Sequence, residues 1–144
     1  LLVDIIYRLL GANNCSLNVG DVSLQSNFNS YAHNKLFIHL NEIASDYHSR
    51  HGVAGKIKAL ISDDIIQINM KGMQEISQKN YCNIILNSNN PNPIEIDTTD
   101  RRWNLINCNS ILADFDWFVV GVTGDEMISK YKKFGEYLIN LKVD

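Results

Sequence analysis

Two apolar runs in this 144-residue chain end in side chains that can do chemistry, and a pair of arginines follows them. Lys35-Leu36-Phe37-Ile38-His39-Leu40 leads into Asn41-Glu42, and Ile84-Ile85-Leu86 leads into Asn87-Ser88-Asn89. Both read as strands with polar groups at their carboxyl ends, where open parallel sheets gather their ligand chemistry. Glu42 offers a carboxylate for a water or a hard cation, with Asn41 beside it as a weaker, neutral oxygen ligand. Asn89 offers an amide, which donates and accepts at once without titrating. Arg101 and Arg102 follow Asp100 and present planar guanidinium groups that grip phosphate in two places. Lys71-Gly72 stands where a hairpin would turn, and Lys58 falls on the helical stretch before it.

These residues need elements to hold them. Residues 1–10 read as a helix with apolar positions 2, 5, 6, 9 and 10 on one face and Gly11 as its stop. Asn13 to Asn34 is rich in Asn, Ser and Gly, with brief extended candidates at Leu17-Asn18-Val19 and Val22-Ser23-Leu24. A strand is expected over 35–41. The stretch from Ala44 to Gly55 is polar and broken by Gly52 and Gly55, after which Val53, Ile57, Leu60 and Ile61 recur at helical spacing. Ile65 to Ile76 reads as the hairpin, and Pro91-Asn92-Pro93 ends the strand over 84–88 because proline cannot donate to a ladder. Trp103-Asn104-Leu105-Ile106 resumes as a strand. Thr123-Gly124-Asp125-Glu126 opens a last helix whose face is Met127, Tyr131, Phe134, Leu138 and Leu141.

Composition narrows the classes. An apolar fraction of 45% in 144 residues builds one core, and a net charge of −3 excludes a broadly basic nucleic-acid coat, so DNA contacts must be local. Cys15, Cys82 and Cys108 lie far apart with no C-x-x-C, which indicates reduced thiols rather than a disulfide framework or a cysteine zinc site. No run approaches the roughly 20 apolar residues of a membrane span, so a soluble protein of the cytoplasm is expected. His48 and His51, with Asp46 and His39 nearby, read as ordinary surface residues. Trp103 and Trp117 read as core residues.

In order and spacing, Asn41-Glu42, Asn89 and Asp100-Arg101-Arg102, with the Lys71 hairpin among them, resemble superfamily 3 helicases. These are ATP-driven replication motors of small DNA viruses, phages and plasmids, also found fused to primases. The resemblance implies a three-layer α/β sheet of the AAA+ P-loop NTPase kind, with helices on both faces. It makes residues 1–108 a partial ATPase core and 109–144 a helical element packed on it. It implies ATP and Mg2+ as cofactors, with Glu42 activating the attacking water, Asn41 and Glu42 holding the metal, and Asn89 sensing the γ-phosphate. One of Arg101 and Arg102, with Arg101 the better match, would reach a neighbouring subunit's nucleotide, while Lys71 and Lys58 would contact single-stranded DNA in a hexameric ring.

The chain departs from that family at its start. The phosphate-gripping G-x-x-x-x-G-K-[ST] loop is absent, so the chain reads as a fragment that begins just after the loop and does not hydrolyse ATP by itself. The alternative is a non-hydrolysing assembly or DNA-binding module of a replication complex with the same fold.

Overall fold

Phe37–Asn41 forms β2, whose first four side chains are buried and whose two edges are both paired with strands. The computed structural model describes residues 2–43, 47–90, 93–97 and 99–106, with 133, 136 and 140; the side chains of 47–51 fall outside that description. Here β2 is the middle strand of a parallel sheet, with β1 (Cys15–Val19) on one side and β5 (Asn83–Asn87) on the other. A strand covered on both faces reads as continuous apolar residues rather than as an alternation. Phe37, Ile38 and Leu40 supply that run, and His39 interrupts it.

Registers differ on the two edges. β2 and β5 pair without a slip from Phe37 opposite Asn83 to Asn41 opposite Asn87. β1 starts with Cys15 opposite Phe37 but slips between Ser16 and Val19, where Asn18 takes φ +57°. Asparagine tolerates that left-handed conformation better than most residues.

Leu2–Leu10 forms α1 over the expected span, with the Arg8 and Asp4 side chains paired at 3.0 Å, one turn apart. Gly11, at φ +81°, closes it by donating its N–H to Tyr7 O at 2.9 Å. The extended segment expected at Val22-Ser23-Leu24 is corrected: Asp21–Gln25 is a short helix, α2. Leu24 is fully buried while Val22 is 86% exposed. Residues two apart share a face in a strand and oppose one another in a helix, so only the helix buries one and exposes the other.

The break expected at Gly52 and Gly55 is corrected as well, since α3 (Tyr47–Ser62) runs through both. Val53, Ala54, Ile57 and Leu60 form its buried face, in one core with Ile38 and Leu40 of β2 and Leu24 of α2. That burial outweighs the penalty of roughly 1 kcal/mol for each helical glycine.

The hairpin forms as expected. β3 (Ile65–Ile68) and β4 (Ile76–Lys79) pair antiparallel, and Met73 N–H donates to Met70 O at 3.1 Å across Lys71-Gly72, with Gly72 at φ +76°. Ile66 and Ile68 point into the core, whereas Ile65 does not. Asparagine and glutamine side chains tie this small sheet down. Asn29 donates its N–H to Asn69 O (3.0 Å) and Nδ2 to Gln67 O (2.7 Å), and its Oδ1 accepts the Asn69 N–H (2.7 Å). Gln78 Nε2 donates to Ala32 O at 3.2 Å, and Asn80 Nδ2 donates to Leu60 O and Asp63 O at the end of α3 (2.7 and 2.9 Å).

The strand expected at Trp103–Ile106 does not form. Aspartate turns precede it: Asp97 Oδ1 accepts the Thr99 N–H and Asp100 Oδ1 accepts the Arg102 N–H, each at 3.1 Å, and these turns hold the chain up to Arg102 in non-extended structure. Trp103 packs against the core as expected, while Leu105 and Ile106 are exposed. Contacts divide the chain into a unit ending at Trp103 and a second unit from Asn104. In the second, Lys133, Glu136 and Asn140 are helical, and Asn140 Nδ2 donates to Glu136 O at 2.7 Å. Cys108, Trp117, the capping box at 123–126 and the apolar face expected over 127–141 lie outside the described residues, as do Asp46, Pro91 and Asn92. Among the described residues no helix is long and apolar enough to cross a membrane.

A Cβ added at Gly55 meets nothing within 4 Å. Gly55→Ala is therefore expected to raise stability by about 0.5–1 kcal/mol in a denaturant titration. A loss of stability would show that α3 is not helical through that turn.

Candidate functional site

The carboxyl ends of β2 and β5 meet in register, and this builds the rim of the candidate site. Asn41 stands opposite Asn87, and the chain then turns at Glu42, whose N–H donates to Asn87 O at 3.0 Å. Glu42 holds φ +52°, a left-handed conformation that most residues with a Cβ avoid at roughly 1–2 kcal/mol. Ser88 Oγ links the two strand ends by donating to Ile43 O at 3.3 Å and accepting the Asn90 N–H at 3.0 Å. Asn89 follows on this rim, exposed. Asn41, Glu42 and Asn89 are thus brought to one end of the sheet.

The cationic residues are not brought there. Lys58 and Arg102 converge on Asp100: Lys58 Nζ lies 3.3 Å from Oδ2, and Arg102 Nη1 lies 3.0 Å from Oδ1. Arg102 Nε also donates to Ser62 Oγ at 2.6 Å, in the last turn of α3. That helix starts beyond the carboxyl end of β2 and, at 16 residues, is about 24 Å long. Its last turn therefore lies toward the opposite end of the sheet, where Asn80 leads the chain into β5. Arg101 is exposed beside this group. Lys71 is exposed at the hairpin turn.

Sequence reasoning missed His39. Expected at the surface, it is 6% exposed, and neither Nδ1 nor Nε2 has a hydrogen-bond partner. Burial pushes its pKa below the ordinary value and favours the neutral ring. A buried polar atom without a partner costs about 1–3 kcal/mol. The usable signal was its place in the middle of an apolar strand rather than its neighbours in sequence. His39 lines a cleft of about 330 Å³ between α1 and the sheet, together with Leu2, Val3, Asp4, Leu17, Asn18, Ile85 and Asn87.

This donor set can be weighed against ATP and Mg2+. A magnesium ion needs one or two carboxylates plus substrate phosphates, and Glu42 supplies one. Among the described residues no group of three or more His, Cys, Asp or Glu could hold a metal, and no lysine or arginine lines the cleft to meet phosphate charge. Among the described residues the rim therefore offers a hard cation the Glu42 carboxylate and the neutral oxygen of Asn41.

Fold and site define a mixed α/β protein with a parallel sheet whose polar residues collect at the carboxyl ends of its strands. The model of a family of unknown function, DUF5906, matches residues 1–102, and the chain belongs to that family. A DNA primase-polymerase of Nitratiruptor phage NrS-1 is 39% identical over 145 residues, covering 100% of this chain and 20% of the relative. Two apo structures of the NrS-1 C-terminal region match with TM-scores of 0.87 and 0.84, each at 38% identity over 99% of this chain and 34% of the other. The chain thus spans about a fifth of the curated relative and a third of the solved region.

These findings correct the functional expectation. The relative is named for priming and polymerising DNA, not for unwinding it, which overturns the reading as an ATP-driven helicase motor. Apolar strands ending in polar residues are general to parallel sheets, so those features could not separate a motor from another DNA-replicating protein.

Two outcomes test the geometry. Glycine accepts the left-handed conformation at Glu42 but adds chain entropy to the unfolded state, so Glu42→Gly should change stability by no more than about 1 kcal/mol, toward gain. Glu42→Val should lower it by about 1–2 kcal/mol; equal effects of the two in denaturant titrations would show that position 42 is not held left-handed. Asp100 is the second test. Burial raises its pKa, but the Arg102 amide and guanidinium and the Lys58 ammonium outweigh burial and hold it at about 2. A carboxyl depressed in the folded state stabilises above its unfolded value near 3.8 and loses that contribution as pH falls toward 2. Asp100→Asn should flatten the stability curve over that window, and an unchanged acid limb would remove Asp100 as its source.

Proposed function

We propose that this chain works within a DNA primase-polymerase, where it holds the single-stranded template during primer synthesis and extension. The observation that carries this reading is 39% identity to the NrS-1 DNA primase-polymerase across the whole chain. The hairpin supports it. Lys71 and Met73 are exposed at its turn, and at the end of β4 the Lys79 ammonium lies 5.4 Å from the centre of the Tyr81 ring, itself 58% exposed. Lysines give sequence-independent grip on phosphates, and an exposed aromatic ring offers a face on which a base stacks. In this reading Arg101 is a further phosphate contact, whereas Lys58 and Arg102 are engaged with Asp100 and anchor the turn that carries it. The parallel sheet, with its polar carboxyl ends, is the kind of scaffold on which nucleotides bind.

The experiment uses the full-length protein that contains this chain. Template-dependent DNA synthesis is expected, and Lys71→Ala should weaken binding of a labelled single-stranded oligonucleotide while lowering the salt slope of log K by about 0.7. Protein that makes no DNA on any primed or unprimed template would overturn the reading. Synthesis with an unchanged slope would move the grip away from Lys71.

A further inference from the structure

Tyr81 stands where the hairpin rejoins the parallel sheet, and in the free protein the Lys79 ammonium covers its exposed ring at 5.4 Å from the centre. We propose that this ring seats one unstacked base of a single strand, and that Lys79 leaves the ring for the phosphate beside that base. The proposal rests on the template reading and deepens it. Lys71 accounts for grip on the backbone, whereas Tyr81 makes binding depend on the base.

Register builds the face. β3 and β4 pair Ile65 with Lys79 and Gln67 with Ser77, so these four side chains share one side of the ribbon, and all four are exposed. Ile66 and Ile68 take the other side, in the core. Ser77 Oγ donates to Gln67 Oε1 at 2.8 Å, which fixes the polar pair, and Ile65, 62% exposed, adds an apolar surface opposite Lys79. The backbone around the ring is tied down as well: Asn80 N–H donates to Asp64 O at 2.8 Å, and Asn83 Nδ2 donates to Tyr81 O at 3.2 Å. Tyr81 is thus held at the base of the ribbon.

Charge decides which part of a nucleotide this face takes. Lys79 is the one ionised residue of the four, and it makes no ion pair among the described residues. Exposed acids stand at both ends of the ribbon, Asp63 and Asp64 before β3 and Glu75 before β4. A row of phosphates laid along the ribbon would meet these carboxylates, whereas a single phosphate at Lys79 would not. An uncharged base avoids the repulsion and gains the ring. Stacking of a base on an exposed aromatic side chain is stronger than an exposed ammonium held over it, so the base displaces Lys79 and leaves the ammonium within reach of the same nucleotide's phosphate.

The test uses the full-length protein that contains this chain and a single-stranded oligonucleotide carrying bromouracil in place of thymine. Ultraviolet irradiation followed by peptide mapping should place a cross-link on Tyr81. Tyr81→Ala should weaken oligonucleotide binding about tenfold without changing the salt slope, and Tyr81→Phe should keep the parent's affinity, because stacking needs the ring and not its hydroxyl. Lys79→Ala should lower the salt slope of log K by about 0.7. An abasic strand of the same length should bind the parent at least tenfold more weakly than the base-bearing strand, a comparison that stands even if Tyr81→Ala does not fold. No cross-link at Tyr81, or equal weakening of abasic and base-bearing strands by Tyr81→Ala, would overturn the site. So would resistance of Tyr81 to nitration by tetranitromethane in the DNA-free protein, since another protein surface would then cover the ring. An unchanged slope in Lys79→Ala would overturn the movement of Lys79. Cross-linking at Tyr81 in protein that makes no DNA would uphold this site and overturn the template reading. DNA synthesis with a Lys71-dependent slope but no cross-link at Tyr81 would do the reverse.

Discussion

Everything at the candidate site depends on β2 being covered on both faces and paired on both edges. Four buried residues in a row leave this strand no freedom to slide, because a one-residue slip would exchange its two faces and put Ile38 and Leu40 where His39 and Asn41 stand. The unbroken register with β5 then sets Asn41 against Asn87. The chain leaves the sheet at Glu42 through a left-handed residue locked by one backbone bond to the neighbouring strand. A strained exit of this kind persists only where its surroundings over-determine it, and here the core beneath the strand does so.

A second constraint acts on the backbone outside the ladders. Buried carbonyl and amide groups need partners wherever strands and helices stop, and the asparagines and glutamines supply them. Asn29 substitutes for a missing strand edge beside β3, Asn80 closes the end of α3, and Gln78 joins β4 to the loop before β2. The same residue types that read as loop composition therefore act as brackets between elements. Asp97 and Asp100 play that role after Ile94, and Asp100 does so with a carboxylate compensated by two cations.

Periodicity made most of the scaffold legible: α1 with its glycine stop, β2, the hairpin around Lys71-Gly72 and β5 all follow from spacing and turn chemistry. The misses share a cause, which is that local signals were overruled by burial. Leu24 and Val22 read as strand partners until the core claimed only one of them, and two glycines read as a break until the apolar face from Val53 to Leu60 held the helix across them. At Trp103 no ladder formed, and the chain enters that segment from an aspartate turn closed on the Arg102 amide. The rim residues Asn41, Glu42 and Asn89 could be placed from sequence, since a strand's end is a local property. His39 could not, because only the assembled sheet shows that it is enclosed without a partner. Function was harder still, since a polar strand end says where a ligand sits and not which reaction it undergoes.

The bracket at Asn29 also shapes how the molecule breathes. A two-stranded ribbon is marginally stable in water by itself, and this one is held to its surroundings by Ile66, Ile68 and the side-chain brackets of Asn29, Gln78 and Asn80. Its amides should consequently exchange with solvent through an opening smaller than global unfolding, while those of β2 wait for the whole core to come apart. The segment that presents Lys71 is thus expected to open below the cost of global unfolding. It can move without disturbing the register that positions the rim.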